Sequence, residues 1–213
     1  MQFSELLGIV ANEPIFETGL LLAGDVDPDD VRRQLSRWTQ AGRLYQLRRG
    51  LYALAPPYQK APPHPFVVAN RLVPASYVSL QSALAFHSLI PEFVPVTTSV
   101  TAARPNRWET SMGVYTFRHV KVGYLYGYQA TDLGGGQHAL VAAPEKALLD
   151  LVYLQPGGDK LNYLSELRLQ NLDHLDVEVL QQLAERADRP KLRRAAANVV
   201  RLVDAEESEW PPS

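Results

Sequence analysis

Three observations predict an α+β fold. Three helical stretches and a β-hairpin precede a proline-rich stretch, and a mixed set of helices and strand-like runs follows it. The prolines themselves (Pro56, Pro57, Pro62, Pro63, Pro65) can continue neither a helix nor a central strand. They divide the chain into an N-terminal unit over residues 1–56, a stiff linker over 57–66 and a C-terminal unit over 67–213. The second unit is expected to be a mixed α/β domain with a small, largely antiparallel sheet and terminal helices.

In the first unit, residues 4–11 form a short helix with Leu6, Leu7 and Val10 apolar, and a second helix is expected within 16–23. The third helix carries the clearest signals. Asp27 suits the N-cap, Pro28 the first helical position, and Asp29 and Asp30 the positive end of the dipole. It runs to Ala41, with Gly42 as the C′ residue. Residues 44–48 and 51–54 read as two strands, joined by a tight turn at Arg49-Gly50 where glycine supplies positive φ. Beyond the linker, helices are expected over 65–72 and 79–88. Strands follow over 96–102, 114–120, 126–131 and 139–142. Further helices are expected over 144–154, 161–169, 177–187 and 191–203, with a frayed end over 209–213.

Composition limits the possible roles. Of the 213 residues, 46% are apolar and 21% charged, an ordinary globular balance. A net charge of −2 excludes a uniformly basic nucleic-acid coat protein, though not a local basic patch. Cysteine is absent, which removes disulfides, thiolate metal sites and cysteine nucleophiles. The N-terminus lacks a cationic and then apolar leader, and no apolar run approaches the ~18 residues of a membrane span. A soluble cytoplasmic protein with no membrane association is expected.

The charge is strongly uneven. Residues 1–30 hold seven acids and no base, whereas residues 31–56 hold six arginines and no acid. Stepping 100° per residue around the third helix puts Val31, Leu35 and Trp38 within roughly 60°, as a buried stripe. Arg33, Ser36, Arg37 and Gln40 fall on the opposite side, with Arg32 on its flank. These exposed cations are read as lacking acid partners on their own helix. Arginine can pair with guanine O6/N7 and glutamine with adenine N6/N7 in the major groove. Two preceding helices and a following hairpin tipped by Arg48 and Arg49 make this a winged helix-turn-helix pattern. Arg33, Ser36, Arg37 and Gln40 are expected to face base edges, and Arg32, Arg43, Arg48 and Arg49 to hold phosphates of double-stranded DNA.

The run Leu35-Ser36-Arg37-Trp38, then Gly42-Arg43-Leu44, then Leu47-Arg48-Arg49-Gly50-Leu51-Tyr52-Ala53-Leu54 resembles the winged-helix domain of the AbiEi antitoxin family. The segment from Tyr77-Val78-Ser79-Leu80-Gln81-Ser82-Ala83-Leu84 through His87-Ser88-Leu89-Ile90-Pro91 resembles that family's "Y-I-S-L-x-S-A-L-x-x-H-G-L-I-P". Ser88 stands where the family often has glycine. Pro144-Glu145-Lys146-Ala147-Leu148-Leu149-Asp150 resembles its "P-E-K-A-L-L-D" helix. The resemblance covers roughly residues 15–155 in order. It implies an antitoxin of a type IV toxin–antitoxin operon involved in abortive infection, whose first domain binds promoter inverted repeats as an autorepressor. The second domain would counter a nucleotidyltransferase-like toxin, with direct contact not implied. The rival readings are a protein-interaction module, a stand-alone regulator without a toxin, and an enzyme in the second unit.

Other residue groups point to structure rather than chemistry. Ser79, Ser82 and His87 lack a nucleophile elbow, so no catalytic residues are expected; Ser79 suits a helix N-cap and His87 a packed or capping position. His64, His87, His119, His138 and His174 lack metal-ligand spacing, and neither a metal nor a cofactor is expected. Gly134-Gly135-Gly136 precedes a strand, not a helix, and suits a turn rather than a phosphate loop. Glu145 suits a helix start and Lys146–Asp150 an i,i+4 pair. The basic cluster Arg186, Arg189, Lys191, Arg193, Arg194 and Arg201 is read as a solvated face.

Overall fold

The computed structural model describes residues 1–10, 13–23 and 26–209. Its first elements are α1 (Phe3–Val10), β1 (Ile15–Glu17), a 3-10 turn (Thr18–Leu22), α2 (Pro28–Gln40), β2 (Leu44–Arg48) and β3 (Leu51–Leu54). The strands form an antiparallel sheet in the order β1-β3-β2. α1 lies where the short first helix is expected, and the last residue of that expected stretch, Ala11, falls outside the described residues.

The second helix expected within residues 16–23 is reduced to the 3-10 helix Thr18–Leu22. Phe16 and Glu17 continue strand β1, where Phe16 sits opposite Tyr52, and only the 3-10 turn is helical. The reason lies in side-chain direction. Neighbours on a strand point to opposite faces. Phe16 thereby enters a core with Leu6, Val10, Leu21, Val31, Leu35, Leu44, Tyr52 and Leu54, while Ile15 enters a second core with Leu47, Leu51 and Ala53. Helical neighbours lie only about 100° apart and could not have entered opposite cores. The sheet is consequently buried on both faces, and all four residues of β3 are inaccessible.

α2 follows its end signals. The Asp27 carboxylate accepts a hydrogen bond from the Asp29 N–H at 2.9 Å, and Pro28 occupies the first turn. The β2–β3 turn at Arg49-Gly50 has Gly50 at φ +79°, and the Gly50 carbonyl accepts from the Thr18 N–H at 2.9 Å. The hairpin tip is therefore pinned to the 3-10 turn.

The proline-rich segment leads into α3 (Pro65–Leu72), which His64 caps by accepting from the Phe66 N–H at 3.1 Å. There follow β4 (Ser76–Val78), α4 (Leu80–Phe86), β5 (Val96–Thr101), β6 (Asn106–Thr110), β7 (Gly113–His119), β8 (Tyr128–Asp132) and β9 (His138–Ala142). The helices α5 (Pro144–Leu154), α6 (Leu161–Glu166), α7 (Val177–Arg186) and α8 (Pro190–Glu209) complete the described chain.

The second sheet is neither small nor as simply antiparallel as expected. It has six strands in the order β6-β7-β5-β4-β9-β8, with β5–β7 and β4–β9 parallel and the other three junctions antiparallel. Two strands escape the periodicity argument. β4 has three residues, all buried, so it shows no alternation; β6 is a polar edge strand in which only Trp108 supplies apolar character. α6 stops at Glu166, short of the expected 169, because Arg168 turns to φ +50°. α8 runs past the expected 203 to Glu209, and residues 210–213 lie outside the described residues.

The chain is thus a mixed α+β protein. The larger core runs from Ile15, Leu47, Leu51 and Ala53 of the first sheet through α3, the second sheet and α4, α5, α7 and α8. Apolar packing continues across the proline-rich segment. Among the described residues no helix is long and apolar enough to cross a membrane.

Candidate nucleic-acid interface

α2 buries Val31 and Leu35 completely or nearly so, and sets Trp38 edge-on to Phe3 at 5.3 Å between ring centroids. Arg32, Arg33, Ser36, Arg37 and Gln40 all lie exposed on the same helix. Asp30, Arg33, Ser36 and Arg37 line a shallow concavity on that face. Arg43 is exposed just past the helix, with its guanidinium 5.1 Å from the centre of the Phe3 ring, and Arg49 is exposed at the hairpin tip.

The expectation that these cations lack acid partners on their own helix fails for Arg32 and Arg33. Arg32 pairs with Asp29 at 2.7 Å, and Arg33 with Asp30 at 3.4 Å and Asp27 at 3.9 Å. The first-turn acids that suit the dipole also lie one turn from these arginines. More than 60% of each of these arginine side chains is exposed, so the pairs are worth about 0–1 kcal/mol and a phosphate can displace them. Among the described residues, Arg37, Arg43 and Arg49 have no carboxylate within 4.0 Å.

Arg48 is the least accessible of the eight residues. Its side chain is 26% exposed, pairs with Glu17 at 3.6 Å and donates to the Arg71 carbonyl of α3 at 3.4 Å. It braces the hairpin against the second layer.

A second cluster of charge is buried. Lys146 and Asp150 lie one turn apart on α5, and their side chains form a direct ion pair with 2% exposure each. Lys146 Nζ also donates to the Tyr77 hydroxyl at 2.8 Å. The hydroxyls of Tyr77 and Ser79 donate to Asp150 Oδ2 at 2.9 and 2.8 Å. Burial pushes the Asp150 carboxyl up and the Lys146 ammonium down, and each is opposed by the other's charge. Burial and the neighbouring carboxylate push the Tyr77 phenol far up, so it remains a donor.

Gly127, at φ +69°, presses on the lysine stem. A Cβ there would lie 3.1 Å from the Lys146 side chain. Next to Ser79, Leu80 is held at φ +59°, a strained conformation for a residue with a side chain. The geometry is that of a buried, hydrogen-bonded ion-pair network. The i,i+4 pair was legible in sequence, but its burial and its two hydroxyl partners were not.

The remaining groups also find structural partners. Ser79 sits at the N-cap position of α4, but its hydroxyl goes to Asp150 rather than to the helix backbone. His87 Nε2 bonds the Ala142 carbonyl at 2.8 Å, and Glu145 accepts from the Asp176 N–H at 2.8 Å. Gly134, Gly135 and Gly136 all have positive φ in the turn between β8 and β9. The C-terminal basic cluster is mostly exposed, as a solvated face would be, and several of its members are also paired. Arg193 pairs with Glu185 and Asp188 at 2.8 Å each, Arg194 with Asp159 at 2.8 Å, and Arg189 donates to the Tyr124 hydroxyl at 2.8 Å. Among the described residues no group of three or more His, Asp or Glu side chains could hold a metal. No protein-family model matches the chain, and no curated protein matches it by sequence.

Proposed function

We propose that the protein is a sequence-specific DNA-binding autorepressor, the antitoxin of an AbiEi-type, type IV toxin–antitoxin operon. The observation that carries this reading is the exposed face of α2, with Arg33, Ser36, Arg37 and Gln40 side by side opposite a buried Val31–Leu35 stripe. The order helix, strand, short turn, helix, hairpin over residues 1–56 fits a winged helix-turn-helix. In this reading α2 enters the major groove and reads base edges. Arg32, Arg43 and Arg49 hold phosphates, and Arg48 mainly positions the hairpin. The protein works in the cytoplasm, without catalysis or cofactor, and residues 67–213 carry the function against a nucleotidyltransferase-like toxin.

Two further observations support the family assignment. Tyr77 and Ser79 from the second resembling segment and Lys146 and Asp150 from the third meet in one buried network. Ser88, where the family often has glycine, has φ +61°, a conformation in which glycine is favoured.

A gel-shift titration against the DNA upstream of the gene tests the reading. Arg33→Ala and Arg37→Ala should each weaken binding by about 1–3 kcal/mol and relax its sequence preference. Equal affinity of wild type and both variants for that DNA would remove this face from the interface. Wild-type affinity no greater than for unrelated DNA would overturn the repressor reading.

A further inference from the structure

The segment Pro91-Glu92-Phe93-Val94-Pro95 stands as a ridge between two clefts. On one side is a cleft of about 450 Å³ floored by Leu84, Ile90, Leu151 and Leu167; on the other is one of about 420 Å³ with Phe66, Ala85, Phe86 and Met112. Both clefts share Glu92, Phe93, Val94 and Pro95 as a wall. Phe93 is 88% exposed and Phe86 40% exposed.

The ridge is braced. Proline at each end restricts its backbone, and its root is tied down where the Ser88 carbonyl accepts from Asn171 at 2.8 Å and the Leu89 carbonyl from the Gln170 N–H at 3.0 Å. A braced backbone leaves only the Phe93 side-chain rotamers to be ordered on binding. The rim is acidic. Glu166 has no cation within 4.0 Å among the described residues, and Glu92 has only the exposed Arg168 at 3.8 Å.

We propose that this ridge and its two clefts form a docking surface for a second protein, which contributes an amphipathic segment whose apolar side chains straddle Phe93 and whose basic side chains meet Glu92 and Glu166. Two flanking clefts suit an extended or helical segment better than a small molecule, which would fill one of them and leave the ring exposed. A second copy of the chain fits poorly, because a two-fold contact at this ridge would set the acidic rim against its own like. The surface lies in the second unit and does not depend on the DNA-binding reading.

The test uses the full chain and fluorescein-labelled amphipathic helical peptides with a leucine face, flanked by lysine in one and by glutamate in the other. In anisotropy titrations the lysine peptide should bind saturably. Phe93→Ala should weaken it about tenfold or more, and Glu92→Gln with Glu166→Gln roughly threefold with a flatter salt dependence. The glutamate peptide should bind markedly less well. Phe93 is on the surface, so its variant should keep the wild-type melting temperature and DNA affinity. The proposal is overturned if Phe93→Ala binds the lysine peptide like wild type, if both peptides bind alike, or if neither saturates. It is also overturned if sedimentation shows a self-association that Phe93→Ala abolishes.

Discussion

α2 and α5 carry ion pairs written in nearly the same way, three or four residues apart on one helix, yet the two sets do different work. Arg32–Asp29 and Arg33–Asp30 lie in solvent on a helix that buries only its other face. Lys146–Asp150 is enclosed by the second sheet and by Tyr77 and Ser79. Water and salt screen the first set, leaving the arginines able to exchange a carboxylate for another anion. The second pair is far from water, so neither partner can be removed without stranding the other. Spacing along a helix reveals that a pair can form; what lies above it decides whether the pair is exchangeable or structural.

The largest effect is therefore expected at the buried pair. Lys146→Met leaves Asp150 buried with only two hydroxyl donors and should cost about 3–5 kcal/mol in urea unfolding. Adding Asp150→Leu should recover most of that loss, since a well-packed apolar pair can replace a buried ionic one. A single variant as stable as wild type would mean that the network is solvated, and the contrast with α2 would disappear.

The two arginine clusters sharpen the comparison next. Among the described residues Arg37 of α2 has no carboxylate within 4.0 Å, whereas Arg193 of α8 is held by both Glu185 and Asp188. Arg37→Ala should weaken binding to upstream DNA by about 1–3 kcal/mol and leave the melting temperature nearly unchanged. Arg193→Ala should do the reverse, lowering the melting temperature slightly with no change in DNA binding. If the Arg193 variant is the one that loses DNA binding, the interface has been placed on the wrong side of the molecule.

Much of this arrangement was legible in the chain. Asp27, Pro28, the following acids and Gly42 delimit α2 by local chemistry, and the Arg49-Gly50 turn sets the hairpin. The exposure of Arg33, Ser36, Arg37 and Gln40 follows from helical periodicity. What was not legible depends on partners distant in sequence. Ile15 and Phe16 form a strand because each has a separate core to enter, and β4 exists because β5 and β9 flank it. Asp150 takes the Ser79 hydroxyl from its expected capping role across 71 residues. Arg48, which sequence groups with Arg49, is drawn inward by the Arg71 carbonyl, 23 residues away.

A smaller effect is expected where α3 begins. His64 caps the helix through an unprotonated Nδ1, and burial holds its pKa below the usual 6.5. The unfolded chain therefore binds a proton more readily than the folded one. Stability from this group is complete above about pH 6.5 and is lost as the pH falls from there toward the lowered folded value. His64→Asn keeps a capping oxygen without titrating. In melting curves at pH 7.5 and pH 5.5, wild type should lose more stability on acidification than the variant. Identical losses would show that the cap does not need the neutral ring.

The smallest effect tests the exchangeable side of the comparison most directly. Asp29 and Asp30 stabilise α2 through its dipole, and they also hold Arg32 and Arg33 and repel phosphate. Replacing both by asparagine should cost about 0.3–1 kcal/mol per residue in stability. The same change should tighten binding to DNA of any sequence, because two negative charges leave the interface and two guanidinium groups are released. The gain should fade at high salt, where those charges are screened. Stability and affinity moving in opposite directions would identify the acids as a brake on the arginine face; affinity falling with stability would mean that the pairs orient the arginines for binding.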